Sequence, residues 1–319
     1  MSGAVGIALA AGLLSALMFV SLSEGLSIGV LLTYLAPLPL MIAGLARGPA
    51  TAGLAGAVAT ASVAATSGGV SFFPFGLAVA IPAVIVARQA LLWRTTPSGA
   101  VEWYPPGLVL GWLTGMAMVL ILIGAALASG QGGTDVQSGG LQEWVSATVG
   151  RTLDLLTPTL DATQRELVAG WWVPFFPALV GGSWLVMTIV NASLAQALLA
   201  RSGHNRRPSP AYSRDMDLPT WLGVVLAFAV AVGTMVEGDL GYLGRSIAVV
   251  ALIPFALSGL AVVHGWAAGR PNARMLLVAV YGVLFLVSAW ALLLVAGLGL
   301  VRFVTRFRPT GDSGGGKEK

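Results

Sequence analysis

The sequence predicts an all-α integral membrane protein, a polytopic helical bundle of about 8–10 transmembrane helices with proline-broken spans. Three observations lead there. Of 319 residues, 56% are hydrophobic and only 9% charged, where a soluble domain carries about a quarter charged residues. A surface so poor in charge cannot cover itself in water. Apolar runs of the roughly 17–25 residues that cross a bilayer recur along the chain. Finally, prolines stand inside those runs: Pro37 and Pro39, Pro82, Pro174 and Pro177, and Pro254. Proline removes a donor and clashes with the carbonyl four residues back, so each marks an expected kink. In lipid the freed carbonyls persist only where neighbouring helices or a wet cavity satisfy them.

The first span, 5–22, carries Ala4, Ala8, Gly12 and Ala16 four residues apart, a small-residue stripe suited to close helix contact. No Lys or Arg precedes Arg47, so this start lacks the basic region of a cleaved signal and reads as a retained span. The second span, 31–47, is the hub, because its two prolines oblige other helices to pack around it. Gly48–Pro49 turns into an Ala/Gly-rich third span, 50–66, and 72–92 is the fourth. Its exit loop holds Trp103, Tyr104, Pro105 and Pro106, an aromatic anchor for the interface. The fifth span is 107–128. These five helices make an N-terminal membrane half, residues 1–128.

An acidic loop follows over 129–168, first Gly/Ser/Gln-rich and then amphipathic, with Leu141, Trp144 and Val145 on one face. The second membrane half, 169–305, has spans at 171–199, 221–236 and 243–267, then an apolar stretch of about thirty residues over 275–305. The tail, 306–319, is polar and Gly-rich and is expected to be disordered.

If the spans alternate, Arg47, the Arg88/Arg94 region, the 201–214 loop and Arg270/Arg274 share one side, and the acidic loops share the other. The positive-inside rule then makes the arginine side and the N-terminus cytoplasmic. A single final crossing would strand Arg302, Arg306 and Arg308 on the wrong side, so 275–305 is either a hairpin of two short helices bent near Ser288, the preferred reading, or a terminus that departs from the charge rule. The net charge of +4 comes from these loop arginines. It speaks of topology rather than of a nucleic-acid partner.

Little chemistry is written in the chain. Cysteine is absent, which excludes disulfides, thiol catalysis and cysteine-held metal. His204 and His264 stand alone, and neither a zinc-protease helix nor a serine-hydrolase elbow is present. No enzyme activity, cofactor or metal is expected. What remains is neutral polar groups at membrane depth, Asn191 and Gln196 above all. They mark either a ligand pathway or hydrogen bonds between helices, the latter worth about 0.6 kcal/mol.

YLAPLPLMIAGLARG (34–48), FGLAVAIPAVIVARQALL (75–92), NASLAQALLARSG (191–203), RPSP (207–210) and GLGLVRFVTRFR (297–308) resemble the bacterial YybS-like predicted membrane proteins, domain of unknown function 2232. Arg302 departs from that family's closing motif, which usually has an acidic residue there. The family is grouped with the substrate-binding S components of energy-coupling-factor vitamin transporters. The resemblance implies a multi-pass protein of the bacterial inner membrane that binds a small molecule and has no ATPase of its own. It also implies a transmembrane protein partner docked on the first helix, where Ala8, Gly12 and Ala16 match the expected stripe. Broken helices at membrane depth are where transporters build sites. The expected lining, between the second, fourth and sixth spans, is therefore Tyr34, Trp172, Trp184, Asn191 and Gln196. The alternative is a non-catalytic scaffold that grips a protein partner through Arg206 and Arg207.

Overall fold

The computed structural model describes residues 2–22, 28–67, 72–130, 140–157, 159, 161–287 and 289–306. The tail beyond 306, the linker over 131–139 and the bend at Ser288 lie outside the described residues. The chain runs through α1 (Ser2–Val20), α2 (Gly29–Leu35), α3 (Pro37–Arg47), α4 (Pro49–Thr66) and α5 (Phe72–Phe75). A π-turn, Gly76–Ala80, leads into α6 (Ile81–Ala90). A short hairpin, β1 (Trp93–Thr95) and β2 (Val101–Trp103), precedes α7 (Pro106–Gly130). Next come α8 (Leu141–Leu156), α9 (Ala162–Trp172), a 3₁₀ turn at Val173–Phe175, and α10 (Phe176–Arg201). The chain finishes with α11 (Tyr212–Asp215), α12 (Thr220–Met235), α13 (Gly238–Ala268), α14 (Ala273–Val287) and α15 (Ala289–Thr305).

Six helical stretches are long and apolar enough to cross a membrane, and three shorter apolar helices accompany them. Large apolar side chains face outward, among them Leu17, Phe228 and Phe285. Lipid solvates such an exterior and water does not. The interior is closed by Leu40, Met41, Phe75, Leu185, Val250 and Phe255.

The prolines act unequally. Pro37 opens α3 directly after the α2–α3 break, where Ala36 N–H folds back to Thr33 O at 3.2 Å. Pro82 follows the π-turn, and Pro174 and Pro177 frame the 3₁₀ turn. Pro254 breaks nothing: α13 runs through it for 31 residues, which corrects the expected interruption. Residues 168 and 169, the expected boundary, lie inside α9, and a 3₁₀ turn follows at Val173–Phe175.

The two ends of the bundle differ in charge. At one end, Arg206 lies against Gly48, Arg207 Nη1 donates to Ala90 O, and the Asp217 backbone presses on Gly107. At the other end of α7, Leu141, Val145 and Val149 of α8 close a small core with Ala128, Val173 and Tyr242. The Asp239 carboxylate lies beside Gly140 there. Arg302 of α15 donates to Ser213 O and Arg214 O, both at 3.0 Å, and faces Asp217 at 3.6 Å. The last stretch is thus two helices on either side of position 288, with Arg302 bonded to the arginine-rich loop.

The hairpin was not expected. Its signal is Thr96-Pro97-Ser98-Gly99 between WRT and VEW, with Gly99 at φ +84°, a left-handed turn position. Arg94 and Glu102 pair across it at 2.7 Å. The Arg94 guanidinium holds the Glu102 carboxyl below its ordinary value.

Candidate functional site

The candidate residues are organised by α10. Trp184 and Asn191 stand seven residues apart, two turns along one face. Trp184 Nε1 donates to Ala78 O at 2.8 Å. Ala78 is the residue four before Pro82, whose ring nitrogen has no hydrogen to give it. Nearer the arginine-rich end, Asn191 Nδ2 donates to Tyr34 O and Met187 O, each at 2.8 Å, and Ser15 Oγ donates to Ala36 O at 2.6 Å. The bonds to Tyr34 O and Ala36 O land on the α2–α3 break. Tyr242 Oη likewise donates to Val173 O at 2.5 Å, four residues before Pro177. Side chains of α1, α10 and α13 therefore supply donors to carbonyls next to the proline breaks.

This arrangement corrects the expected pocket lining. Tyr34 offers its carbonyl, while its side chain is exposed. Trp172 ends α9 beside the 3₁₀ turn, half-exposed and far along the chain from α10's polar groups. Trp184 and Asn191 are buried and already committed to backbone. Gln196, the fifth, borders a cavity in which other polar side chains converge. Asn191 Oδ1 is buried with no hydrogen-bond partner.

The expected docking residues are also used internally. Gly12 faces α4, where an added Cβ would sit 2.6 Å from Ala55 O and 2.9 Å from Val58. Ala8 and Ala16 are buried with it. The stripe is spent on the chain's own fourth helix, so it is not free for a partner. Arg206 is exposed, whereas Arg207 is 7% exposed and caps α6 through Ala90 O at 3.2 Å.

Around Arg207 lies a cavity of about 110 Å³ between α3, α6, α7, α10 and the loop after α10. Its polar wall is Ser193, Gln196, Arg207 and Tyr212, and Leu45, Val86, Leu110 and Leu257 belong to its apolar wall. The volume holds several waters or a small polar group, below the ~300–1,000 Å³ of a drug-sized ligand site. Gln196 Nε2 and Asn205 Nδ2 both donate to Arg207 O, at 2.9 and 2.8 Å, and so fix the loop that carries the guanidinium. Arg207 takes part in none of the ion pairs Arg94–Glu102, Arg165–Asp154 and Arg302–Asp217, and no described carboxylate lies within 4.0 Å of it. Burial pulls its pKa below the ordinary arginine value, and the attraction of Tyr212 and Asp215 opposes that shift. A buried cation whose counter-charge stands off is a natural anion receptor.

Ser193 and Tyr212 escaped sequence reading. Ser193 stands inside NASLAQALLARSG (191–203) without being singled out there, and Tyr212 reaches the cavity only through the path of a Pro-rich loop.

A family model described as a predicted membrane protein, DUF2232, matches residues 12–301. The chain matches no curated protein and no solved structure.

Proposed function

We infer, for a chain that belongs to the DUF2232 family of predicted membrane proteins, a role in binding a small anionic molecule as part of a transport process. The protein is multi-pass and lies in a membrane. In this reading the membrane is the bacterial inner membrane, with the N-terminus and the arginine-rich end in the cytoplasm. The protein works without an ATPase or a chemical step of its own, in the manner of an S component.

One observation carries the reading. Arg207 is buried on a cavity wall with Gln196, Ser193 and Tyr212, and lacks a paired carboxylate. A carboxylate or phosphate would supply the missing charge, and the apolar wall would take a short hydrocarbon or ring portion.

The test is thermal unfolding of the detergent-purified protein against small carboxylates and phosphates, vitamins and nucleobase-like metabolites included. A ligand at a hundredfold over its Kd stabilises by about 2.7 kcal/mol. We expect an anionic member to raise Tm, Gln196→Ala to weaken that rise, and Arg207→Gln to abolish it while Arg207→Lys retains part. Silence across the panel, or an undiminished rise in a folded Arg207→Gln protein, would overturn the reading.

A second reading rests on Arg201 and Arg206, exposed and without an ion pair among the described residues. They would hold an acidic protein partner. Crosslinked pull-down with Arg206→Glu tests it, and a stoichiometric partner lost on that change favours it over the cavity.

A further inference from the structure

A second cavity lies on the opposite face of α7 from the Arg207 site. It is an apolar groove of about 570 Å³, walled by Leu77, Ile81 and Ile85 on one side and Gly111 and Gly115 on the other. The residues of α7 that border it extend from Leu108 to Ile123. At 1.5 Å per residue that is about 22 Å, beyond the midplane of a hydrocarbon core ~30 Å thick.

At the arginine-rich end the groove changes character. It continues into a neighbouring cavity of about 310 Å³, since Tyr104 and Leu108 border both. Trp112 Nε1 donates to Tyr104 Oη at 3.3 Å, a pair of amphipathic rings at the height where membrane proteins place them. The smaller cavity is polar-walled by Arg94 and Glu102, which neutralise each other. Arg88 is different. It lies three residues after Ile85 on the same face of α6, is exposed, and has no hydrogen bond or ion pair among the described residues.

We propose that this groove binds an anionic phospholipid, with one acyl chain along Ile81, Ile85 and Gly115 and the phosphate at Arg88. A transmembrane helix from another protein would fill the apolar part, but it would leave Arg88, about one helical turn beyond Ile85 on the same face, without a counter-charge. A phospholipid satisfies both ends at once. The length of the groove, the ring pair at the interface and the unpaired cation beyond it run in the order acyl chain, glycerol region, phosphate. The site is independent of the Arg207 cavity, and either can fail without the other.

The experiment uses the full-length protein in nanodiscs containing a small fraction of phosphatidylglycerol, or of phosphatidylcholine, bearing a photoreactive acyl chain. Peptide mapping should place crosslinks on 77–85 and 108–119 above the other lipid-facing helices. Arg88→Gln should lower phosphatidylglycerol labelling there about fivefold, the worth of one cation near a membrane surface, and leave phosphatidylcholine labelling unchanged. Gly115→Leu should abolish both: its Cβ meets Trp221 at an ordinary 3.6 Å, so the leucine fills the groove without a backbone clash. Ile81→Trp serves as a second filling variant if Gly115→Leu fails to fold. Labelling spread evenly over every lipid-facing helix, or unaltered by both Arg88→Gln and a folded filling variant, would overturn the proposal. So would a co-purified membrane protein crosslinked through the same residues.

Discussion

The two halves of the bundle bring their helices together by different means. In α2–α6 the helices are interrupted, and side chains from elsewhere bond carbonyls beside the interruptions: Trp184 to Ala78, Asn191 to Tyr34, Ser15 to Ala36. In α12–α15 the backbones themselves meet. Gly233 lies against Gly244, and a Cβ on Gly299 would fall 2.9 Å from Gly259 N and overlap Phe255 O. A Cβ on Gly259 would overlap Val295 O. The first half adds side-chain donors to close glycine contacts such as Gly44 against Ala52 and Ala87, whereas the second rests on backbone contacts where side chains are lacking. A polar donor in lipid can make a broken segment tolerable, and glycine contacts work best along unbroken rods.

This contrast is open to breaking, and the glycine half should break hardest. Gly259→Leu forces a side chain into the Val295 backbone, an overpacking that costs about 3 kcal/mol or more. Because the natural chain has no cysteine, Ala296→Cys provides a sole thiol at a buried position of α15. Its labelling should accelerate strongly in the Gly259→Leu background. An unchanged rate would mean that α15 is not held by that contact.

In the donor half the effects should be smaller and graded by what each carbonyl keeps. Trp184→Phe preserves the bulk and deletes the N–H to Ala78 O, which should cost about 2 kcal/mol because a buried acceptor loses a partner. Tyr242→Phe should cost less, under about 1 kcal/mol. Val173 O retains the Phe176 N–H of the 3₁₀ turn. Denaturation in one detergent compares the two, and equal losses would sever the link between cost and the remaining donors. The link also concerns Asn191: its Oδ1 is already unpartnered, so deleting the side chain removes one orphan atom as it exposes another.

Much of this architecture was legible beforehand. Proline's missing N–H is a covalent fact, and so the breaks at Pro37, Pro82 and Pro177 could be anticipated, although the same signal at Pro254 leaves α13 helical. The helical character of 141–156 followed from apolar residues on one face. What could not be read was who meets whom. Trp184 and Ala78 are 106 residues apart, and nothing local marks them as partners. The Ala8–Gly12–Ala16 stripe announces a close contact without naming it, and the contact proved to be α4. Arg207 looks like Arg206 in sequence. Only the folded path of the Pro208–Pro210 segment buries one and leaves the other in solvent. The cavity is hidden for the same reason, since its polar wall joins α10 to a loop whose course depends on tertiary packing.

The central claim is that Trp184 of α10 donates to Ala78 O because Pro82, four residues on, has removed the ordinary helical donor. A double-mutant cycle between Trp184→Phe and Pro82→Ala tests it most directly. Restoring an amide at position 82 gives Ala78 O a partner within its own helix. Trp184→Phe should then cost about 2 kcal/mol in the natural background and well under about 1 kcal/mol in the Pro82→Ala background. The same loss in both backgrounds would contradict the account.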